Sequence, residues 1–166
     1  MPGNTLRNLI RTGTARSVIL IRLVVGGVFL SEGIQKFLFP VENGIGRFVK
    51  IGIPAPETMA PFVGVVEIVC GALILLGLLT RLATIPLIID MLVAILSTKI
   101  PILLGSGFWG FSLRNLPYYG FWGMAHEART DFAMLLGSIF LLIVGAGSWS
   151  LDASLRRKAV EKYERE

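Results

Sequence analysis

Four stretches of about twenty residues are apolar enough to enter a bilayer, and the segments between them are too polar or too broken to do so. The pattern predicts helices over about Ser17–Phe39, Thr58–Leu79, Leu82–Ile100 and Arg129–Trp149. Pro40 stops the first, Thr58 is placed to cap the second, and Thr80-Arg81 makes the tight turn into the third. Between the first two, Ile45, Phe48 and Val49 share one face and Arg47 and Lys50 another, which predicts a short interfacial helix. Pro101–Ala125 is the longest segment that does not span, and it is crowded with Phe, Tyr and Trp. Rings at that density beside a span predict interfacial anchoring or a lid over the end of a bundle. No internal repeat is present. The fold class expected is all-α, a left-handed transmembrane four-helix bundle with short cytoplasmic tails and an aromatic-rich external loop.

The polar positions inside these stretches change the picture more than the apolar ones. At about 100° per residue, Arg22, Glu32 and Lys36 fall in one stripe roughly 80° wide on the first helix. Gly26, Phe29 and Gly33 lie on or beside it, so the charged face is also where another helix can come close. Each such charge costs about 2.5–3.5 kcal/mol in a bilayer unless it faces protein or water, so the stripe must turn inward. Glu67, between Gly64 and Gly71, lies roughly mid-span on the second helix, and Asp90 lies halfway along the third. Lys99 is expected to end the third helix and snorkel to the surface. His126, Glu127 and Asp131 sit at the start of the fourth, either capping it or facing the bundle mouth.

Pairing these groups by depth gives a definite expectation. Glu32 and Lys36 are four apart and can pair on their own helix. Asp90 is the carboxylate nearest in depth to Arg22. Glu67 is left without an obvious cation; about 8 Å of depth separates it from Lys36, with Glu32 the nearer neighbour. A buried carboxyl beside a second one is a candidate to share a proton or to hydrogen-bond a quinone carbonyl. The alternative is that these polar pairs only fix helix register.

Composition agrees with a membrane protein: of 166 residues, 54% are hydrophobic and 16% charged, and mean hydropathy is +0.72. The net charge of +5 gathers in the tails. Arg7, Arg11, Arg16, Arg81, Arg156, Arg157, Lys158, Lys162 and Arg165 fall on the side holding both termini, nine against at most six opposite. That places both termini in the cytoplasm of a multi-pass protein of the cell (inner) membrane. Basic flanks of this kind read as topology signals, and nucleic acid is discarded as a partner. One cysteine, Cys70, excludes an internal disulfide, a CxxC pair and a thiolate-held cluster; one histidine excludes a bis-histidine haem held by one chain. No metal site and no covalently bound cofactor are expected, and any redox cofactor would be diffusible, such as a quinone, or carried by a partner.

RLVVGGVFLSEGIQKF, the loop GIPAP, VEIVCGALILLGLLTRLAT and the closing GAGSWSLD resemble the DoxX family of small four-span membrane proteins, over about Ser17–Asp152. On that resemblance residues 1–16 form a basic tail, 17–152 the DoxX-like domain and 153–166 a charged tail. Arg22, Gly33, Lys36, Glu67, Gly71, Arg81 and Asp152 fall on the family's pattern, while Glu32 stands where His or another polar group is expected. The family name comes from a thiosulfate:quinone oxidoreductase with a related membrane subunit, DoxD; other members are implied in redox-stress complexes, and the wider superfamily includes a cargo receptor. No small thiosulfate-oxidoreductase partner is fused in this sequence. The resemblance therefore implies a quinone-linked or redox-associated subunit of a membrane oxidoreductase system, with Arg22, Glu32, Lys36, Glu67, Asp90, His126 and Asp131 as the polar interior. The alternative it leaves open is a non-catalytic scaffold or cargo-binding protein. Membrane lipid, redox-complex proteins and a second copy of the chain are the partners expected; whether the chain is itself an enzyme stays open.

Overall fold

The computed structural model describes residues 15–163, so most of the basic N-terminal tail expected over residues 1–16 lies outside the described residues. Four long helices dominate: α1, Val18–Leu38; α3, Pro56–Leu76; α4, Thr80–Leu104; and α5, Phe121–Val144. The short α2, Ile45–Ile51, follows α1, and α6, Leu151–Tyr163, follows α5. Among the described residues there is no strand, only an isolated bridge between Phe108 and Phe111. α1, α3 and α4 are long and apolar enough to cross a membrane. α5 is 24 residues long but carries Glu127, Arg129 and Asp131 in its first half.

α1 packs chiefly against α3 and α4 against α5; α3–α4 contacts join the two pairs. Small residues set the first pairing. A Cβ at Gly33 would lie 2.7 Å from the Gly64 carbonyl oxygen, and one at Gly26 would lie 2.9 Å from that of Gly71. The two backbones therefore touch, with no side chain between them. Towards the tails, Val18, Val25, Phe29, Ile74, Ala83, Leu87 and Leu141 form a closed apolar core. We call this the tail end, and the opposite one, with α2 and the long loop, the loop end.

Several boundaries differ from the sequence expectation. α3 begins at Pro56 rather than Thr58, because proline is preorganised for a first helical position and Ala55 takes the cap without a side-chain bond. The turn into α4 is Gly77–Leu79, and Thr80 already belongs to the helix. Gly77 has φ 67°, and a Cβ there would meet the Arg22 guanidinium, so the site needs glycine for the turn and for the cation beside it. α4 runs past Lys99 to Leu104, and α5 starts eight residues before Arg129. α2 appears where the amphipathic pattern put it, with Phe48 buried. The long loop docks on its end, where the Ser112 N–H donates to the Ile51 carbonyl at 2.8 Å.

Gly33→Ala tests the backbone contact. The added methyl meets the backbone of Gly64 and Ile68, which cannot swing aside, so overpacking should cost about 1–3 kcal/mol. Gly27→Ala, which meets nothing within 4 Å, should melt in detergent like the wild type.

Candidate functional site

The buried charges separate into two groups of different character. At the tail end, Arg22 is 2% exposed and, among the described residues, its guanidinium donates to backbone carbonyls. Nε reaches Ile74 O at 2.8 Å, Nη2 reaches Leu75 O at 2.5 Å, and Nη1 reaches Trp149 O at 2.6 Å and Ala146 O at 3.2 Å. Leu75 O lies at the end of α3 and Ala146 O and Trp149 O just beyond α5, where helix-end carbonyls would be left unsatisfied in a bilayer. Ile74 O also accepts the Gly77 N–H at 3.0 Å. Asp152 completes the clamp from the other sign: its carboxylate accepts from Leu79 N–H at 2.8 Å and Thr80 N–H at 3.2 Å, capping α4. Arg81 adds a bond from Nη2 to Ile143 O at 2.6 Å. The expected Arg22–Asp90 pairing is therefore wrong. Arg22 sits one turn into α1, level with the end of α3, whereas Asp90 lies ten residues beyond the turn.

Asp90 belongs to the second group, in a chamber of about 660 Å³ at the loop end, walled by α1, α3, α4 and α5 and roofed by α2. Glu32, Lys36, Glu67, Asp90 and Asp131, five of the seven residues expected in a polar interior, all line it. Lys36 Nζ is 2.6 Å from Glu67 Oε2, both largely buried. Asp90 lies beside Glu67 within hydrogen-bonding reach, and its Oδ2 is buried without a partner among the described residues. Two expectations fail here. Lys36 turns to Glu67 rather than to Glu32, and the carboxyl next to Glu67 is Asp90 rather than Glu32. The depth argument counted Cα positions only. Helical side chains lean towards their own N-terminus, so in this antiparallel pair Lys36 leans into the bundle and Glu67 leans out, and they meet across the offset.

Lys99 was missed as a site residue. It is 5% exposed and bonds Asp131 Oδ2 at 2.9 Å, instead of snorkelling. Nine residues of regular α-helix would set it about 180° from Asp90, on the opposite face. Ile95–Lys99 is instead a π-helical turn, closed by Ile100 N–H donating to Ile95 O. That turn absorbs about one extra residue and swings Lys99 into the chamber. Pro101 is the signal that was present: it cannot donate to the Ser97 carbonyl and its ring crowds it, loosening the turn before it. Asp131, three turns into α5, is accordingly an ion-pair partner and no helix cap.

The chamber's mouth carries Asn43 and Arg47 from α2 and the turn before it, and Arg114, whose Nη2 lies 3.0 Å from Glu127 Oε2. His126 lies outside the chamber. It lines a separate cavity of about 140 Å³ with Tyr118 and Glu127, and its Nδ1 is 3.2 Å from Arg129 Nη1 on an exposed face. The remaining chamber wall is apolar, with Phe29, Phe48, Phe62, Met91 and Met134 among its residues. An apolar enclosure with a few converging polar groups suits a lipophilic ligand carrying oxygen atoms. Lys36 supplies a donor and Asp90 an open acceptor.

Membrane-length apolar helices closed by internal ion pairs define an integral membrane protein with a charged chamber in its helical bundle. The chain belongs to the DoxX family, which matches residues 17–100. It is 60% identical over 143 residues to an uncharacterized membrane protein of Mycobacterium tuberculosis (strain ATCC 25618 / H37Rv), covering 86% of this chain and 83% of that one. It is 28% identical over 134 residues to a Bacillus subtilis (strain 168) protein named "Putative oxidoreductase CatD", covering 81% and 83%. No solved structure matches it.

Lys36→Met should strand Glu67 beside Asp90 and destabilise the protein by about 3–5 kcal/mol, whereas Lys36→Met combined with Glu67→Gln should recover most of that loss. Chemical denaturation in detergent of the two single variants and the double variant measures the coupling. A value under about 1 kcal/mol would show that the pair does not hold the chamber.

Proposed function

We propose that this DoxX protein is a four-span protein of the inner membrane, both termini cytoplasmic, that binds a quinone-like ligand as the membrane subunit of an oxidoreductase system. The observation that carries the reading is the Lys36–Glu67–Asp90 cluster on the floor of an otherwise apolar chamber of about 660 Å³. That volume lies in the range of small-molecule sites, about 300–1,000 Å³. A quinone carbonyl needs a donor, which Lys36 supplies; a quinol hydroxyl needs an acceptor, which Asp90 Oδ2 supplies. The chamber thus suits both redox states of one ligand. The chain's single cysteine and single histidine leave electron delivery to a partner protein.

α5 supports the fourth span. Its charges are concentrated in the first half, and Asp131 answers Lys99 inside the bundle, which lowers the cost of carrying it across a bilayer. Four crossings return both ends to one side, the side with the more numerous Lys and Arg. The name of the Bacillus subtilis relative agrees with a redox role. Titrating a short-tailed quinone into purified protein by equilibrium dialysis tests the reading. The wild type should bind saturably, and Lys36→Met/Glu67→Gln, which keeps the fold, should bind at least tenfold more weakly. Absence of saturable binding to the wild type removes the proposal.

One observation favours the scaffold reading: α6 leaves the bundle as a polar helix with Arg156, Arg157 and Lys158 exposed. If α6 recruits soluble proteins, deleting Ser154–Glu166 should abolish their co-purification while leaving the melting curve unchanged. Partners that stay attached to the truncated protein exclude it as the recruiting element.

A further inference from the structure

The chamber has a floor, a roof and a mouth, but its α3–α4 side is not closed in the same way along its length. In the tail half, the seam is closed by the buried core, to which α3 gives Cys70 and Ile74 and α4 gives Ala83. In the loop half, the facing flanks carry Met59, Phe62 and Val66 on α3, and Pro86, Ile89 and Val93 on α4, all of which line the chamber. Phe62 is 60% exposed, Ile89 57% and Val93 46%. On α4, Ile89 and Val93 fall about 60–100° to one side of Asp90, and the buried Leu87 and Met91 fall about as far to the other, facing α5. These side chains therefore belong to the chamber wall and to the outer surface of the bundle at once. Every one of the six is apolar, whereas the mouth beside α2 is charged. The difference matters because the surface outside a span is hydrocarbon.

We propose that the loop half of the α3–α4 seam is a lateral portal, and that its occupant is the alkyl or isoprenoid tail of a membrane-dissolved ligand whose polar head rests on Lys36, Glu67 and Asp90. The charged mouth at the loop end is a poor route for such a molecule, since a long apolar tail would have to leave the bilayer and pass Arg47, Arg114 and Glu127. The seam lets it slide in sideways, head first, with the tail remaining against lipid. The inference rests on the chamber being a ligand site, but it concerns the route and the tail, and it can be tested with no quinone present.

Thr98 lines the chamber and is only half-buried, so Thr98→Cys in a Cys70→Ala background places one reachable thiol there. In phosphatidylcholine vesicles, a long-chain N-alkylmaleimide should label this thiol, and Val93→Trp, which fills the seam, should slow that labelling at least tenfold. Labelling by water-soluble N-ethylmaleimide, which enters through the mouth, should change less than twofold. The control is Leu92→Trp, on the lipid face away from the seam, which should leave both rates unchanged. Equal slowing of both reagents by Val93→Trp, no slowing of the alkyl reagent, or no labelling of the introduced thiol by it would each overturn the portal. If the portal holds and the wild type still binds no quinone, the ligand class is wrong while the route stands.

Discussion

The backbone contact between α1 and α3 is the constraint on which the rest depends. Gly26 and Gly33 on one helix meet Gly71 and Gly64 on the other, the same seven-residue spacing read in opposite directions. Once that register is set, positions off the glycines have no freedom. Arg22, four residues before Gly26, arrives beside Leu75, four residues after Gly71, and donates to the carbonyls of the last turn of α3. Lys36, just beyond Gly33, arrives above Glu67. A slip of one turn in either direction would strand both cations.

The two ends use charge for different purposes. At the tail end, Arg22 and Asp152 serve the backbone, answering helix-end carbonyls and amides that neither lipid nor side-chain hydroxyls satisfy. Arg22 and Asp152 are both 2% exposed there, beside the closed apolar core. At the loop end, cations meet carboxylates from other helices: α1 to α3 through Lys36–Glu67 and α4 to α5 through Lys99–Asp131. Those bonds cross the interior and hold walls apart around a space. Of the seven residues on the family's pattern, Arg22, Arg81 and Asp152 serve the clamp, Gly33 and Gly71 the register, and only Lys36 and Glu67 face the chamber.

Much of this was legible in the sequence, and the gaps have physical causes. Helical class, the short α2 and the inward charged stripe followed from periodicity and the cost of charge in hydrocarbon. The pairing of Glu67 with Asp90 was also within reach, since each stands ten residues from its side of the Gly77–Thr80 turn and a hairpin sets them at equal depth. Choosing Asp90 for Arg22 misjudged their depths and overlooked that backbone carbonyls can answer a guanidinium. Lys36–Glu67 was excluded by counting Cα rise without the lean of the side chains. Lys99 was hidden by a change of helical period that only Pro101 announced, and that one residue turned an apparent surface lysine into half of the second ion pair.

The charges around the chamber do not balance, and the imbalance bears on what it holds. Its wall carries the cations Lys36, Arg47, Lys99 and Arg114, and the carboxyls Glu32, Glu67, Asp90, Glu127 and Asp131. Lys36, Lys99 and Arg114 each have a carboxylate at 3.0 Å or less. Arg47 stands at the mouth on α2, too near water to serve the floor. That leaves two carboxyls without an ion-pair partner among the described residues: Glu32, whose side chain is exposed, and Asp90, whose buried Oδ2 lies where Glu67 already engages Lys36. An acceptor left unsatisfied at this depth costs about 1–3 kcal/mol, which a proton held between Asp90 and Glu67 or a donor from a ligand would offset. A ligand that brings a hydrogen-bond donor to Asp90 Oδ2 removes that cost, and one that also offers an acceptor to Lys36 uses both groups together. On the proposed reading, the cluster receives a small polar head, and the apolar walls around it suit a head that travels on a lipophilic body.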